Sequence, residues 1–365
     1  MKRQFAALLL VITVLLSGVA GFGGVYLANN FASSPVNTYE YSSVSEVETL
    51  LTSTVGSASE SMELTIPEIA ALAANSIVEI YTEAVVNSGR MGQFVTEGAG
   101  SGVIISADGY IVTNNHVIEG SRKITVRLSS GQDYEAALIG RDSKTDIAVL
   151  KINATQLQPA VYGDSDKLVV GELAVAIGNP LGELGGTVTE GIISALSRNI
   201  DIDNHMMNLL QTSAAVNPGN SGGGLFNGRG ELIGVVNAKS SGSDIEGIGF
   251  AIPANLVKSI AGSLVQYGYV PGRIDFGATL VDILDARTAM MYRVQTAGVY
   301  VSQADSDSPL ISGDRIISID GKTIQSTADV NELLDAHKVG DVLSISVGRN
   351  GSATTVKLTL KQAKS

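Results

Sequence analysis

Cysteine and tryptophan are absent from all 365 residues, and Phe, Tyr and Trp together make up only 5% of the chain. Without cysteine there are no disulfides, no thiolate nucleophile, no Cys-ligated zinc and no lipid attached through an N-terminal Cys. Histidine is scarce as well. His116, His205 and His337 are far apart and show no His-x-x-x-His or related ligand spacing, so neither a metal nor another cofactor is expected. Clusters of Lys and Arg are missing too. A net charge of −12 with no compensating basic patch argues against a nucleic-acid partner, whose phosphates would be repelled.

The chain does have 41 glycines and a hydrophobic content of 44%. That mixture suits short strands and tight turns better than a helical bundle. At 365 residues, two folded units with appendages are expected. Lys2 and Arg3 precede an uncharged run from Phe5 to Ala28, long enough at 1.5 Å per residue to cross a hydrocarbon core of roughly 30 Å. Positive charge on the short side puts that end in the cytoplasm and the rest outside. Gly18-Val19-Ala20 offers the small residues of a signal-peptidase site, but the apolar run continues through Gly21 to Ala28 and favours a retained anchor. Residues 29–65 read as a tether, with a short helix near Val44–Leu51 and another beginning at Ile66.

From Ile77 onward, apolar or alternating runs are separated by Gly, Asn and Asp turns. Examples are Gly102–Ser106, Tyr134–Gly140, Ile147–Ile152, Leu173–Ile177, Gly186–Ser197 and Leu232–Asn237. This rhythm predicts an all-β barrel or sandwich, closed by a helix at Asn255–Tyr267. A second unit follows Pro271-Gly272, with five strands and a helix at Thr327–Ala336.

Gly219-Asn220-Ser221-Gly222-Gly223 matches the G-x-S-x-G pattern of a nucleophile elbow. An α/β-hydrolase needs its acid and His after the Ser. Only His337 follows Ser221, inside the second unit, and the segment QTSAAVNPGN before Ser221 is not the apolar strand an elbow terminates. The order His, Asp, Ser fits instead. His116 ends the run Tyr110–Asn115. Asp146 comes 30 residues later, at the mouth of the apolar run Ile147–Ile152, and Ser221 follows 75 residues after that. A hydroxyl nucleophile needs a base, and the base needs an orienting acceptor. Asp142, Asp164 and Asp166 also lie in the interval and compete with Asp146 for that role. Glycines around Ser221 let backbone amides converge on an oxyanion; by spacing these are Gly219 and Ser221, with Asn220 between them.

The segments Gly100–Ile105, Thr113–Val117, Thr145–Lys151, Ala176–Pro180, Gly191–Ala195 and Asn217–Gly223 resemble the HtrA (Deg) family of trypsin-like serine proteases. The resemblance implies a mainly β fold: a chymotrypsin-like double β-barrel at residues 66–268 with the triad His116, Asp146 and Ser221 in the cleft. It also implies a homotrimer and unfolded or misfolded protein substrates. In that fold the residue six before the nucleophile, here Ala215, floors the S1 pocket. Lacking a carboxylate, it predicts cleavage after small or medium apolar residues. Two positions depart from the family: Ser213 stands where an aspartate is usual, and Gly224, where proline is usual, is expected to loosen the turn after the nucleophile.

Residues 274–362 resemble a single small α+β PDZ domain, through Ile274–Ala278, Gly313–Gly321 and the helix at Thr327. The resemblance implies that C-terminal peptides add as a strand and seat their carboxylate on the loop Asp275, Phe276, Gly277 and Ala278. Asp275 brings a negative charge to that loop, and the segment Ser308–Ser312 is shorter than usual.

Overall fold

The computed structural model describes residues 63–364 apart from 88–92, 180–186, 203–204, 218, 239–246, 293 and 295. The apolar run Phe5–Ala28 and the helix expected near Val44–Leu51 lie outside these residues. Among the described residues, no helix is long and apolar enough to cross a membrane.

Helix α1 (Ile66–Ala73) opens the folded region. The Glu68 carboxylate accepts bonds from Thr65 N at 2.8 Å and Thr65 Oγ1 at 2.7 Å, which caps the first turn. Ile69 and Ala73 bury the inner face, and a 3₁₀ turn at Ala74–Ser76 leads into the first strand.

Six strands then close a barrel: β1 (Ile77–Asn87), β2 (Gln93–Ile104), β3 (Tyr110–Asn114), β4 (Lys123–Arg127), β5 (Asp133–Asp142) and β6 (Ile147–Ile152), in the order β1-β2-β3-β6-β5-β4. Helix α2 (Asn115–Ile118) is a single turn after β3. A second barrel takes β7 (Leu173–Gly178), β8 (Thr187–Ile202), β9 (His205–Thr212), β10 (Gly224–Phe226), β11 (Leu232–Val236) and β12 (Gly249–Pro253), in the order β10-β11-β12-β9-β8-β7.

The period-2 alternation of strand side chains explains how the barrels pack. On β6, Ala148, Leu150 and Ile152 fill the first barrel, while Ile147 and Val149 join a cluster shared between barrels. On β7, Ala174 and Ala176 face the second barrel's interior, and Val175 and Ile177 face the shared cluster. Both faces of these strands are buried, so their sequences read as continuous apolar runs rather than alternations. Helix α3 (Ala254–Tyr267) seals the shared cluster with Val257, Ile260, Ala261 and Leu264. It stops at Gly268, whose φ of 78° is the left-handed cap a glycine accepts without a Cβ clash.

The C-terminal unit is built on β13 (Ile274–Asp275), β14 (Ala278–Ile283), α4 (Ala286–Tyr292), β15 (Gly298–Ala304), β16 (Arg315–Ile319), β17 (Lys322–Thr323), α5 (Thr327–Asp335), β18 (Val342–Arg349), β19 (Ser352–Thr359) and β20 (Lys361–Gln362). The main sheet runs β14-β15-β16-β18-β19, so β14 is an edge strand, and β13 pairs with β20. Its core gathers Val299, Val301, Leu310, Ile316, Val330, Leu333, Leu343 and Ile345. Ser326 and Asp329 form a capping box at the start of α5.

Candidate active site

His116 and Asp146 are delivered by strand ends, and Ser221 by the loop before β10. His116 sits in α2, directly after β3. Asp146 is the residue before β6, held at φ 53°, a left-handed conformation uncommon for a residue with a Cβ. Its neighbours fix it there: Asn115 N and Asn114 Nδ2 both donate to Asp146 O at 3.1 Å. The Asp146 carboxylate is buried and takes three bonds. His116 N donates to Oδ1 at 2.9 Å, His116 Nδ1 to Oδ2 at 2.7 Å, and Asn237 Nδ2 to Oδ2 at 2.9 Å.

With Nδ1 facing a carboxylate, the neutral imidazole carries its proton there. That leaves the Nε2 lone pair 3.0 Å from Ser221 Oγ, ready to accept its hydroxyl proton. Of the competing aspartates, Asp142 is engaged by Arg273 and Thr145, and Asp164 by Asn255 and Lys167. The Asp166 amide donates to Asp164 Oδ1. None of the three contacts His116. His337 lies in the C-terminal unit, its Nδ1 2.8 Å from Leu333 O.

The loop carrying Ser221 is shaped by tight turns. Asn220 N donates to Asn217 O at 3.0 Å and Gly223 N to Asn220 O at 2.8 Å, while Gly222 N and Val236 O tie the loop to β11 at 3.0 Å. Gly219 and Gly222 adopt φ of 104° and 82°. A Cβ on Gly222 would stand 2.2 Å from Ser101 O, so only glycine fits beside β2. Among the described residues, the amides of Gly219 and Ser221 donate to no protein acceptor. Backbone donors of this kind suit a transient oxyanion.

Ala215 lies between β9 and Ser221 and is exposed, its carbonyl accepting a 2.7 Å bond from Thr189 Oγ1 of β8. Ser213 reaches the same strand: its Oγ accepts from Ile192 N at 3.0 Å, and its own amide donates to Ile192 O at 3.1 Å. The expected loosening at Gly224 is not what this position does. Gly224 opens β10 and pairs with both Val235 and Ile177. A Cβ there would meet the Phe226 ring at 2.4 Å, so the glycine makes room for that ring inside the barrel.

Two residues had escaped functional assignment. Asn237 completes the Asp146 carboxylate; its signal in the sequence is a single amide directly after the apolar strand β11. Ser101, fully buried on β2, bridges the barrels. Its N–H donates to Ser221 O at 2.8 Å, its Oγ donates to Gly219 O at 2.6 Å, and that Oγ accepts from Asn179 N at 2.8 Å. Thr113 Oγ1 holds the Ser101 carbonyl at 2.7 Å.

The expected carboxylate loop lies at the start of the C-terminal sheet. Phe276 is buried in the core, Gly277 has φ of 68°, and Ala278 begins β14. The Gly277 amide donates to Asp275 Oδ1 at 2.7 Å. The short segment Ser308–Ser312 is pinned by buried Leu310 and by Arg349, whose Nη2 donates to Pro309 O at 3.0 Å.

Two closed six-stranded barrels with a Ser–His–Asp chain define a trypsin-like serine peptidase, here joined to a PDZ domain. Residues 100–235 match the trypsin-like peptidase domain and residues 277–360 the PDZ domain. The chain is 43% identical over 290 residues to the serine protease Do-like HtrB of Bacillus subtilis (strain 168), covering 73% of this chain and 63% of that relative. It is 38% identical over 295 residues to the serine protease Do-like HtrA of Lactobacillus helveticus, covering 75% of this chain and 71% of the relative. Among solved structures, the HtrA-type protease AlgW with a decapeptide is 34% identical, with a TM-score of 0.52, over 82% of this chain and 99% of that one. The chain belongs to the HtrA family of serine proteases.

Proposed function

We propose that the chain is an endopeptidase that cleaves unfolded, misfolded or specific extracytoplasmic proteins through an acyl-enzyme, in protein quality control or a stress response. The observation that carries this reading is the unbroken run of short contacts from Asp146 through His116 to Ser221, at 2.7 Å and 3.0 Å. Ser221 Oγ attacks the scissile carbonyl while His116 Nε2 takes its proton. Asp146 holds the imidazole in the required tautomer and stabilises the imidazolium. The amides of Gly219 and Ser221, with Asn220 between them, receive the oxyanion. His116 then protonates the leaving amine, and water releases the acyl group by the reverse proton path. Ala215 gives a P1 side chain no charged partner, so Val, Ala and Leu are preferred; cleavage confined to Lys or Arg would refute this assignment.

The PDZ domain adds a peptide to the free edge of β14 next to the loop Asp275–Ala278. Regulation of the protease by that domain has support in two contacts on one turn: Lys144 pairs with Asp335 of α5, and Arg273, in the link just before the domain, reaches Asp142. Arg273 donates from Nε and Nη2 to Asp142 at 2.9 and 2.7 Å, and Thr145 Oγ1 donates to the same carboxylate at 2.5 Å. Asp142 lies one turn before Asp146, so this ion pair braces the turn that presents the catalytic carboxylate. Anchoring through residues 5–28 in a single pass, with protease and PDZ domains outside the cell membrane, rests on Lys2, Arg3 and the apolar run. The homotrimer rests on family membership.

Incubation with casein tests the reading. The full chain is expected to degrade it, and Ser221→Ala to lose at least about 10⁴-fold in rate. Equal cleavage by both proteins would remove Ser221 from the mechanism. Casein kept soluble and uncut by both would favour a non-catalytic chaperone.

A further inference from the structure

The loop assigned to a peptide carboxylate already holds one. A terminal carboxylate would approach the amides of Phe276, Gly277 and Ala278, and the middle amide donates to Asp275 Oδ1 at 2.7 Å. A second acid stands close by. Asp305 N donates to Gly277 O at 3.0 Å, and Asp305 Oδ2 lies 3.9 Å from where a Gly277 Cβ would project. Lys361, opposite Asp275 in the β13–β20 register, has its ammonium paired with Asp307. A free C-terminus entering here must displace one carboxylate and sit beside another. A like charge at that separation disfavours the ionised ligand.

The rest of the groove makes no such demand. Among the described residues, strand β14 pairs only with β15, and its other edge offers main-chain groups to an extended segment. At the far end, Asp282 accepts from Thr327 N at 2.9 Å and Thr327 Oγ1 at 2.8 Å, which fixes the start of α5 against the strand. Beside the loop, a cavity of about 490 Å³ is lined by Asp275, Gly277, Ser306, Ser308, Lys357 and Lys361, among others. The short segment Ser308–Ser312 borders it, so a chain laid along β14 has room to continue past Gly277 instead of ending there.

We propose that Asp275 determines the specificity of this PDZ groove: it occupies the seat for a terminal carboxylate, so the groove takes internal extended segments of unfolded polypeptide in preference to free C-termini. This rests on the reading of the C-terminal unit as a peptide-binding PDZ domain. It assigns that domain the same substrate class as the protease, an unfolded chain gripped along its length.

Fluorescence anisotropy on the full chain carrying Ser221→Ala provides the test. The probes are labelled decapeptides ending in Val, Leu or Phe, each as the free acid and as the C-terminal amide, which imitates a continuing chain. With Asp275 present, the amide is expected to bind at least as tightly as the acid. Asp275→Ala raises affinity for the acid about tenfold or more, the worth of one charge-assisted hydrogen bond, and leaves the amide unchanged, which inverts the preference. Asp275→Asn keeps an acceptor for Gly277 N and removes only the charge, so it gives a smaller rise and controls for loss of loop shape. Tenfold tighter binding of the acid with Asp275 present would overturn the proposal and leave the PDZ reading intact. An acid-to-amide ratio unmoved by either substitution would do the same. No binding of either form by any variant would overturn the PDZ reading and the proposal with it.

Discussion

Asp146 and Asp275 are both acidic residues at strand ends whose carboxylates accept backbone amides, yet their surroundings give them opposite properties. Asp146 is buried and receives three donors from two chain segments: the His116 amide, the His116 ring and the Asn237 side chain. Asp275 is half-buried and receives one donor, from two residues along its own loop. A carboxylate with several pre-arranged donors stays oriented without paying for reorganisation during reaction. One held by a single local bond can be displaced, at the cost of that bond and of its charge beside an incoming carboxylate. The first arrangement suits a fixed element of a catalytic site, the second a competitor that a ligand can displace.

The sharpest way to break this comparison is Asp146→Asn. The amide keeps the size of the side chain, but its NH₂ cannot accept the Nδ1 proton, so His116 is driven to the wrong tautomer. We expect kcat on a peptide substrate to fall by about 10⁴-fold with KM little changed. A loss below tenfold would mean that His116 is oriented by something other than this carboxylate.

Asp314 shows that the C-terminal unit also builds a fully satisfied carboxylate, so the single bond at Asp275 belongs to that position and not to the domain. Arg349 donates to it from Nε at 2.7 Å and Nη2 at 2.6 Å, and Ile311 N donates at 3.0 Å. Burial works against ionisation, but the Arg349 and Ile311 bonds prevail and hold the Asp314 carboxyl below the usual range. A depressed folded pKa means that this contribution is fully present above the unfolded value near 3.8 and is lost as pH falls through the folded value. Asp314→Asn, which leaves Arg349 without its partner, is expected to destabilise the PDZ unit by about 3 kcal/mol or more at neutral pH. Denaturant melts at pH 7 and pH 3 check both statements: the gap between the two proteins should narrow at the lower pH. A gap that widens would reverse the assigned shift.

How much of this could be read from the sequence depended on how local each feature is. Ser221 was legible from the glycines that flank it, and His116 and Asp146 because each adjoins a strand with a strong apolar signature. The barrel rhythm was legible for the same reason: β6 and β7 are buried on both faces and spell continuous apolar runs. Strand β9 (His205–Thr212) and the first half of β2 were not anticipated, because polar and glycine residues interrupt them and their partners supply the order. Gly224 was read against the proline usual at that position in the family, while the Phe226 ring that needs its space is visible only in three dimensions. Ser101 was silent for a similar reason, and Asn237 showed only as an amide after an apolar strand, with nothing to say what it meets. Each acts across 91 or 118 residues of chain, and nothing in local spacing marks such a contact.

Ser101 offers the smallest and most discriminating test, because it touches the Ser221 loop without touching the reacting atoms. Its hydroxyl fixes the Gly219 carbonyl and is itself fixed by Asn179 N, while its amide holds Ser221 O. Ser101→Ala keeps the amide bond and removes only the hydroxyl, leaving the Gly219 carbonyl and the Asn179 amide without that partner. A neutral hydrogen bond is worth about 0.5–1.5 kcal/mol, which converts to a fall in kcat of about 2- to 13-fold. Because the loss is in the aim of the amides proposed to receive the oxyanion, it should appear in kcat rather than KM, with the shape of the pH profile unchanged. Ser101→Thr retains the hydroxyl and should recover part of the rate if the extra methyl fits. Equal loss in both variants would show that packing at this buried site matters, and not the bond to Gly219.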